Sequence, residues 1–265
     1  MVSSLRLRGA MASTRTALER TRTRLDGFRL HALHAGAGDP VLLLHGLCGS
    51  HRWWRYTIPA LRTEHRVHVP EMVGFGGSRG AARQPSIAEM AGLMVRWLDA
   101  LELERTDFVG HSMGAQVGIH LAARWPERVR RLVLVSAAGV PRRVSPVRLA
   151  ELWGEFLWPR AWGRPSFLPT IAADALRAGP RTVARAVLHI LGDDVRPLLP
   201  RVTAPTLLIW GARDPLTPVA DGRLMAELLP ESRLVVLEDA AHNPMADRPQ
   251  RFNREVLDFL GEDGP

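Results

Sequence analysis

Five short runs of uninterrupted apolar residues constrain the fold of this chain most: Val41-Leu42-Leu43-Leu44, Phe108-Val109, Leu132-Val133-Leu134-Val135, Thr206-Leu207-Leu208-Ile209-Trp210 and Leu234-Val235-Val236-Leu237. A strand with one wet face alternates polar and apolar residues. Runs without alternation are covered on both faces, as in a parallel sheet between layers of helix. The intervening segments repeat at helical spacing. Ser86 and Glu89 form a capping box ahead of Ile87, Met90, Met94, Trp97, Leu98 and Leu101 on one face. A second helix runs from Met113 through Val117 and Leu121 to Trp125 and stops at Pro126. Phe252, Val256, Phe259 and Leu260 form the docking stripe of a last helix. The order predicts an α/β fold with a doubly wound, mostly parallel sheet.

The alternation breaks across residues 138–202, where prolines, arginines and the aromatics Trp153, Phe156, Trp158, Trp162 and Phe167 replace any strand pattern. This segment reads as an inserted helical cap, with residues 26–137 and 203–265 as the core. Residues 1–25 read as a flexible basic extension, and Gly36-Ala37-Gly38-Asp39-Pro40 as a turn between two early strands.

Composition narrows the setting. The formal charge is +8, and all 35 basic residues are arginine. They are scattered, without the clustered cations and interleaved aromatics of a nucleic-acid surface, so no nucleic-acid partner is expected. No apolar run reaches the ~18 residues of a membrane span, and Met1 to Arg24 lacks the apolar centre of a signal peptide. The single cysteine, Cys48, excludes an internal disulfide and offers no zinc spacing. A cytoplasmic protein without stable membrane insertion, monomeric or homodimeric, is the expectation.

The chemistry centres on Gly110-His111-Ser112-Met113-Gly114. A Gly-x-Ser-x-Gly pentapeptide is weak evidence alone, but here a strand enters it and a helix leaves it. Ser112 then sits on a tight turn at the carboxyl edge of the sheet, with its hydroxyl pushed outward. A serine hydroxyl needs a base to take its proton and a carboxylate to orient that base. His242, in the loop after the last strand, fits the base. Asp214, just beyond Trp210-Gly211, fits the acid, with Asp239 on the histidine's own loop as rival. The glycines of His45-Gly46-Leu47-Cys48-Gly49 let backbone N–H groups face the reaction centre, so Leu47 and Met113 N–H are candidate oxyanion donors. His45 reads as an organiser of that loop and Cys48 as a small buried thiol. Candidate pocket residues are His45, Gly46, His111, Trp153, Phe156 and Trp158.

From Asp26 to Leu260 the chain resembles the α/β-hydrolase superfamily. His45-Gly46, Gly74-Phe75-Gly76-Gly77-Ser78, the turn at Ser112, Trp210-Gly211-x-x-Asp214 and His242 stand in the family's order and approximate spacing. The resemblance implies an eight-stranded sheet, no cofactor or metal, and a cap after the sixth strand. It maps Ser112 to the nucleophile, Asp214 to the acid, His242 to the base, and Leu47 with Met113 to the oxyanion donors. Two positions depart from the pattern: Glu71 replaces the usual aspartate before the glycine-rich loop, and Asp247 replaces the usual glutamate or glutamine after the histidine.

The expected reaction is cofactor-free hydrolysis of hydrophobic carboxylic esters through an acyl-enzyme, with the cap aromatics read either as pocket lining that favours apolar groups or, equally, as packing between cap and core. The same triad serves carbon–carbon bond hydrolysis of ring-cleavage products, lactone opening and perhydrolysis. A non-catalytic ligand-binding protein is the reading from another class. Arg142, Arg143, Arg148, Arg160 and Arg164 in the cap read as solvated surface, with selection of an anionic substrate as the alternative.

Overall fold

The computed structural model describes residues 18–141 and 163–262. Eight strands form one sheet: β1 (Glu19–Leu25), β2 (Phe28–Ala35), β3 (Asp39–Leu44), β4 (His65–Pro70), β5 (Thr106–His111), β6 (Val129–Val135), β7 (Thr206–Gly211) and β8 (Ser232–Leu237). Their order is β1-β2-β4-β3-β5-β6-β7-β8. β1 and β2 pair antiparallel, as do β2 and β4, and the other pairs are parallel. The helices are α1 (Ile87–Ala100), α2 (Met113–Arg124), α3 (Leu168–Ala178), α4 (Pro180–Leu191), α5 (Val219–Leu228) and α6 (Pro249–Gly261), with shorter turns between them.

The apolar runs behave as their lack of alternation requires. Successive residues of each central strand pack into different layers. Leu42, Leu44, Phe108, Leu132, Leu134, Leu208 and Trp210 join the layer of α1, α2 and α5. Val41, Leu43, Val109, Val133, Val135, Leu207 and Ile209 join the layer of α6, where Phe252, Val256, Phe259 and Leu260 dock. Each buried leucine or valine contributes roughly 1.5–3 kcal/mol, so the two layers hold the carboxyl ends of β3, β5, β6 and β7 together. The capping box of α1 is formed: Glu89 N–H donates to Ser86 Oγ at 3.2 Å and Ser86 N–H to Glu89 Oε2 at 2.8 Å.

One boundary is corrected. Residues 19–25, placed by sequence in the basic extension, are the edge strand β1. Glu19-Arg20-Thr21-Arg22-Thr23-Arg24-Leu25 has period two: Thr21, Thr23 and Leu25 are half-buried while Arg20, Arg22 and Arg24 are exposed. Asp26 and Gly27, at φ 50° and 79°, close a two-residue hairpin to β2. Between β6 and β7 the described residues are helical, chiefly α3 and α4. Trp153, Phe156, Trp158, Trp162, Arg142, Arg143, Arg148 and Arg160 lie outside the described residues.

Candidate active site

β5 ends at His111 and α2 begins at Met113, so Ser112 alone makes the turn, at φ 50° and ψ −113°. A non-glycine residue held there is strained, and the surrounding structure must fix it. The Ser112 N–H donates to Val135 O at 2.9 Å, and its carbonyl accepts from Gln116 N and Ala138 N. Gly114 lets the turn sit tightly: a Cβ there would collide with the carbonyl oxygens of Leu44 and His45. The amino end of α2 is thereby pressed against the carboxyl end of β3.

The three residues singled out by chain order meet. Ser112 Oγ donates to His242 Nε2 at 3.1 Å, and His242 Nδ1–H donates to Asp214 Oδ2 at 2.8 Å. All three are buried. Asp214 Oδ1 accepts from the N–H groups of Leu216 (2.9 Å) and Thr217 (3.0 Å), and Oδ2 also accepts from Thr217 Oγ1 at 2.8 Å. Burial opposes ionisation of Asp214, but His242 and the Thr217 donors outweigh it, so its pKa lies below the ordinary aspartate value. Trp210 Nε1–H, donating to Thr217 O at 2.6 Å, fixes the turn that supplies those donors. Arg213 N–H, donating to Ala240 O at 3.0 Å, ties the acid loop to the histidine loop. Asp239, the rival acid, is exposed and paired instead with Arg213 and Arg248.

The loop after β3 is organised from beneath by His45. Met72 N–H donates to His45 Nε2 at 3.1 Å, which leaves Nδ1–H to donate to Gly46 O at 2.8 Å. Burial holds the His45 pKa below the ordinary imidazole value, keeping the neutral form this pattern needs. Gly46 O also accepts from Gly49 N–H at 3.0 Å. A trans peptide sets its N–H opposite its carbonyl, so Leu47 N–H points away from these donors.

His45 and His111, expected from sequence among the pocket residues, have no exposed surface in the fold. The cause is local: His111 is the last residue of a central strand, facing inward, and His45 is consumed by its own loop. His111 Nε2–H donates to His242 O at 2.8 Å, and burial, then His242, pushes its pKa down to about 3. Cys48 is buried at φ 62°, its thiol pushed up to about 12 by burial and then by Asp174, which removes it as a nucleophile near neutral pH.

Sequence reasoning missed Thr217, which looks like any loop threonine, and the roles of Glu71 and Asp247. Glu71 accepts from His51 Nδ1 (2.7 Å), His51 N (3.1 Å) and Gly77 N (2.6 Å), joining the glycine-rich loop to the segment after Cys48. Burial works against its charge, but these donors draw its pKa down to about 2. Asp247 accepts from Ala241 N at 2.8 Å and Arg164 N at 2.7 Å, linking the histidine loop to the segment before α3. Among the described residues no cluster of ligating side chains suited to a metal occurs, and no helix is long and apolar enough to cross a membrane.

A mostly parallel sheet whose carboxyl edge carries serine, acid and histidine in that chain order defines the α/β hydrolases as a class. The model of the family described as alpha/beta hydrolase fold matches residues 39–182 and 178–249, and the chain belongs to this family. Its class is accordingly hydrolase. It is 33% identical to the provisionally named carbamate hydrolase RutD of Azorhizobium caulinodans, over 86% of this chain and 93% of that protein. It is 31% identical to 2-hydroxymuconate semialdehyde hydrolase of Pseudomonas sp. strain CF600, over 89% and 92%. The crystal structure of the enol-lactonase from Burkholderia xenovorans LB400 superposes with a TM-score of 0.78 at 25% identity, covering 91% of this chain and all of that one.

Proposed function

We propose that the chain is a serine hydrolase that cleaves carboxylic esters with an apolar acyl or alcohol group, by acyl transfer through Ser112. The observation that carries this reading is the continuous relay Ser112–His242–Asp214 at 3.1 and 2.8 Å. His242 takes the hydroxyl proton as Ser112 Oγ bonds to the carbonyl carbon, and returns it to the alcohol oxygen as the ester C–O bond breaks. Water then repeats the sequence on the acyl-enzyme, with His242 as base, and releases the acid. Leu47 and Met113 N–H serve the oxyanion, each donor contributing about 3 kcal/mol in the transition state. Both supports are local: the pinned Gly46 carbonyl and the start of α2. The enol-lactonase neighbour, whose substrate by name is a cyclic ester, supports ester chemistry.

Carbon–carbon bond hydrolysis of a ring-cleavage product is the second reading, favoured by the relative named 2-hydroxymuconate semialdehyde hydrolase. Kinetics on graded 4-nitrophenyl esters, a lactone and a ring-cleavage dienone, with fluorophosphonate labelling, separate the two. Labelling at Ser112 with ester turnover supports the proposal. Labelling with turnover of the dienone alone selects the second reading. No labelling and no turnover refute both.

A further inference from the structure

By sequence the arginines of β1 belong to a flexible basic extension. In the fold they form something else. Arg24 lies directly opposite Arg29, and Arg22 directly opposite His31, across the β1–β2 pair. Cross-strand partners project from the same face, so all four side chains stand on one side of the sheet edge. Arg79 and Gly77, from the loop after β4, complete the lining. Together they line a cleft of about 550 Å3.

The described residues do not pair the charge of this cleft. Among the described residues, no carboxylate lies within ion-pair distance of Arg22, Arg24, Arg29 or Arg79. The nearby acids are engaged elsewhere: Glu19 with Arg66, Asp26 with Arg96, Glu89 with Arg83, and Glu71 with His51 and the Gly77 N–H. Like charges directly opposite on paired strands destabilise the pairing, so Arg24 and Arg29 cost stability while the cleft is empty. Burial, and then the field of Arg22 with smaller contributions from Arg29 and Arg79, hold the His31 pKa below the ordinary imidazole value against the pull of Glu71. His31 therefore feels the same uncompensated cations.

We propose that this cleft is a binding site for a small phosphate-bearing anion of about diphosphate size. Its volume falls in the range of small-molecule sites, roughly 300–1,000 Å3. Four arginines lining one concavity can offer forked donors to several phosphate oxygens at once, the recognition in which arginine surpasses a point charge. A membrane surface calls for a flat basic face with apolar residues to insert, and a nucleic acid for an extended basic track. The cleft has neither form. The cleft shares no lining residue with the Ser112 relay, and the site stands or falls independently of the reaction proposed there.

The test is calorimetric titration of the full chain with inorganic pyrophosphate at fixed ionic strength, alongside thermal unfolding. The wild type should bind saturably and gain Tm with concentration. The double variant Arg24→Gln/Arg29→Gln should weaken binding about tenfold or more, each lost guanidinium removing charge-assisted hydrogen bonds. Its Tm without pyrophosphate should equal or exceed the wild-type value, since the opposed charges are gone, and this separates lost binding from lost folding. Absence of saturable binding by the wild type overturns the site, as does equal affinity in the double variant. Equal binding of citrate overturns the phosphate assignment. Co-sedimentation with phosphatidylglycerol vesicles without pyrophosphate binding would make the face a membrane contact instead.

Discussion

Asp174 on α3 accepts a 2.8 Å hydrogen bond from Ser50 Oγ, three residues beyond Leu47 on the loop after β3. The carboxylate is buried and also pairs with the Arg52 guanidinium, and Ser50 Oγ accepts from Arg52 N–H at 3.3 Å. The helical segment between β6 and β7 is thus fastened to the loop that carries Leu47. Asp174→Ala removes the acceptor and leaves Arg52 unpaired. Because Arg52 remains about one-third exposed, the loss should fall below that of a fully buried pair, at roughly 2–3 kcal/mol. Urea denaturation measures it. Asp174→Asn, which keeps an acceptor for Ser50, should lose less.

At the relay, Ser112→Ala should abolish fluorophosphonate labelling and lower kcat/KM on 4-nitrophenyl esters by at least about 10⁴-fold. Asp214→Asn should lower kcat by a similar ~10⁴-fold, because an amide donating to Nδ1 inverts the imidazole tautomer. Thr217→Val preserves shape and removes one donor to Oδ2. Its expected cost is roughly 1.5–3 kcal/mol of transition-state stabilisation, seen in kcat with KM unchanged.

The central strands β3, β5, β6 and β7 were legible because full burial makes their apolar runs continuous, and β8, a half-buried edge strand, because Leu234 to Leu237 is apolar throughout. The triad was legible because chain order limits which histidine and aspartate can follow an elbow serine. β4 was not: His65-Arg66-Val67-His68-Val69-Pro70 mixes histidines into a covered strand, and they escape notice until their partners are in place. β1 carried a usable signal, an alternating threonine pattern ending at Asp26-Gly27, obscured by its arginines. Spacing within the chain gives no hint of Thr217 or Asp174, since each matters through a residue of another segment.

The histidines of the β1–β2–β4 edge predict a pH dependence. His34 and His68 share a hydrogen bond between their Nδ1 atoms at 2.8 Å, and His34 Nε2 bonds Thr21 Oγ1 of β1 at 2.7 Å. The neighbouring charges are Arg66 and Glu19, and Trp97 packs on both rings. Burial, then His34 and Arg66, pushes His68 down to about 3 from an ordinary value of 6.5. A depressed imidazole pKa means that the unfolded chain takes up the proton first. The stabilisation is therefore complete above about pH 6.5 and is lost progressively as pH falls toward 3. His68→Asn should flatten the fall of Tm between about pH 6.5 and pH 4, with the other depressed imidazoles, His111, His45, His34 and His31, supplying the remaining slope.

Gly114→Ala tests whether contact between the elbow and β3 sets the catalytic geometry. An alanine methyl there meets the Leu44 and His45 carbonyl oxygens, which are backbone atoms at the end of a buried strand and do not swing aside. The start of α2 must move outward, carrying Met113 N–H and Ser112 away from Leu47 N–H. Overpacking of this kind costs about 1–3 kcal/mol, so the variant should still fold, with a lowered Tm. A displacement near 1 Å at a reaction centre costs on the order of 10²-fold in rate. The expected signature is a fall in kcat of that size with KM nearly unchanged and fluorophosphonate labelling slowed in parallel, because in the proposed mechanism both chemistries use the same oxyanion donors. Full activity in a folded Gly114→Ala variant would mean that the close approach at Gly114 serves packing alone.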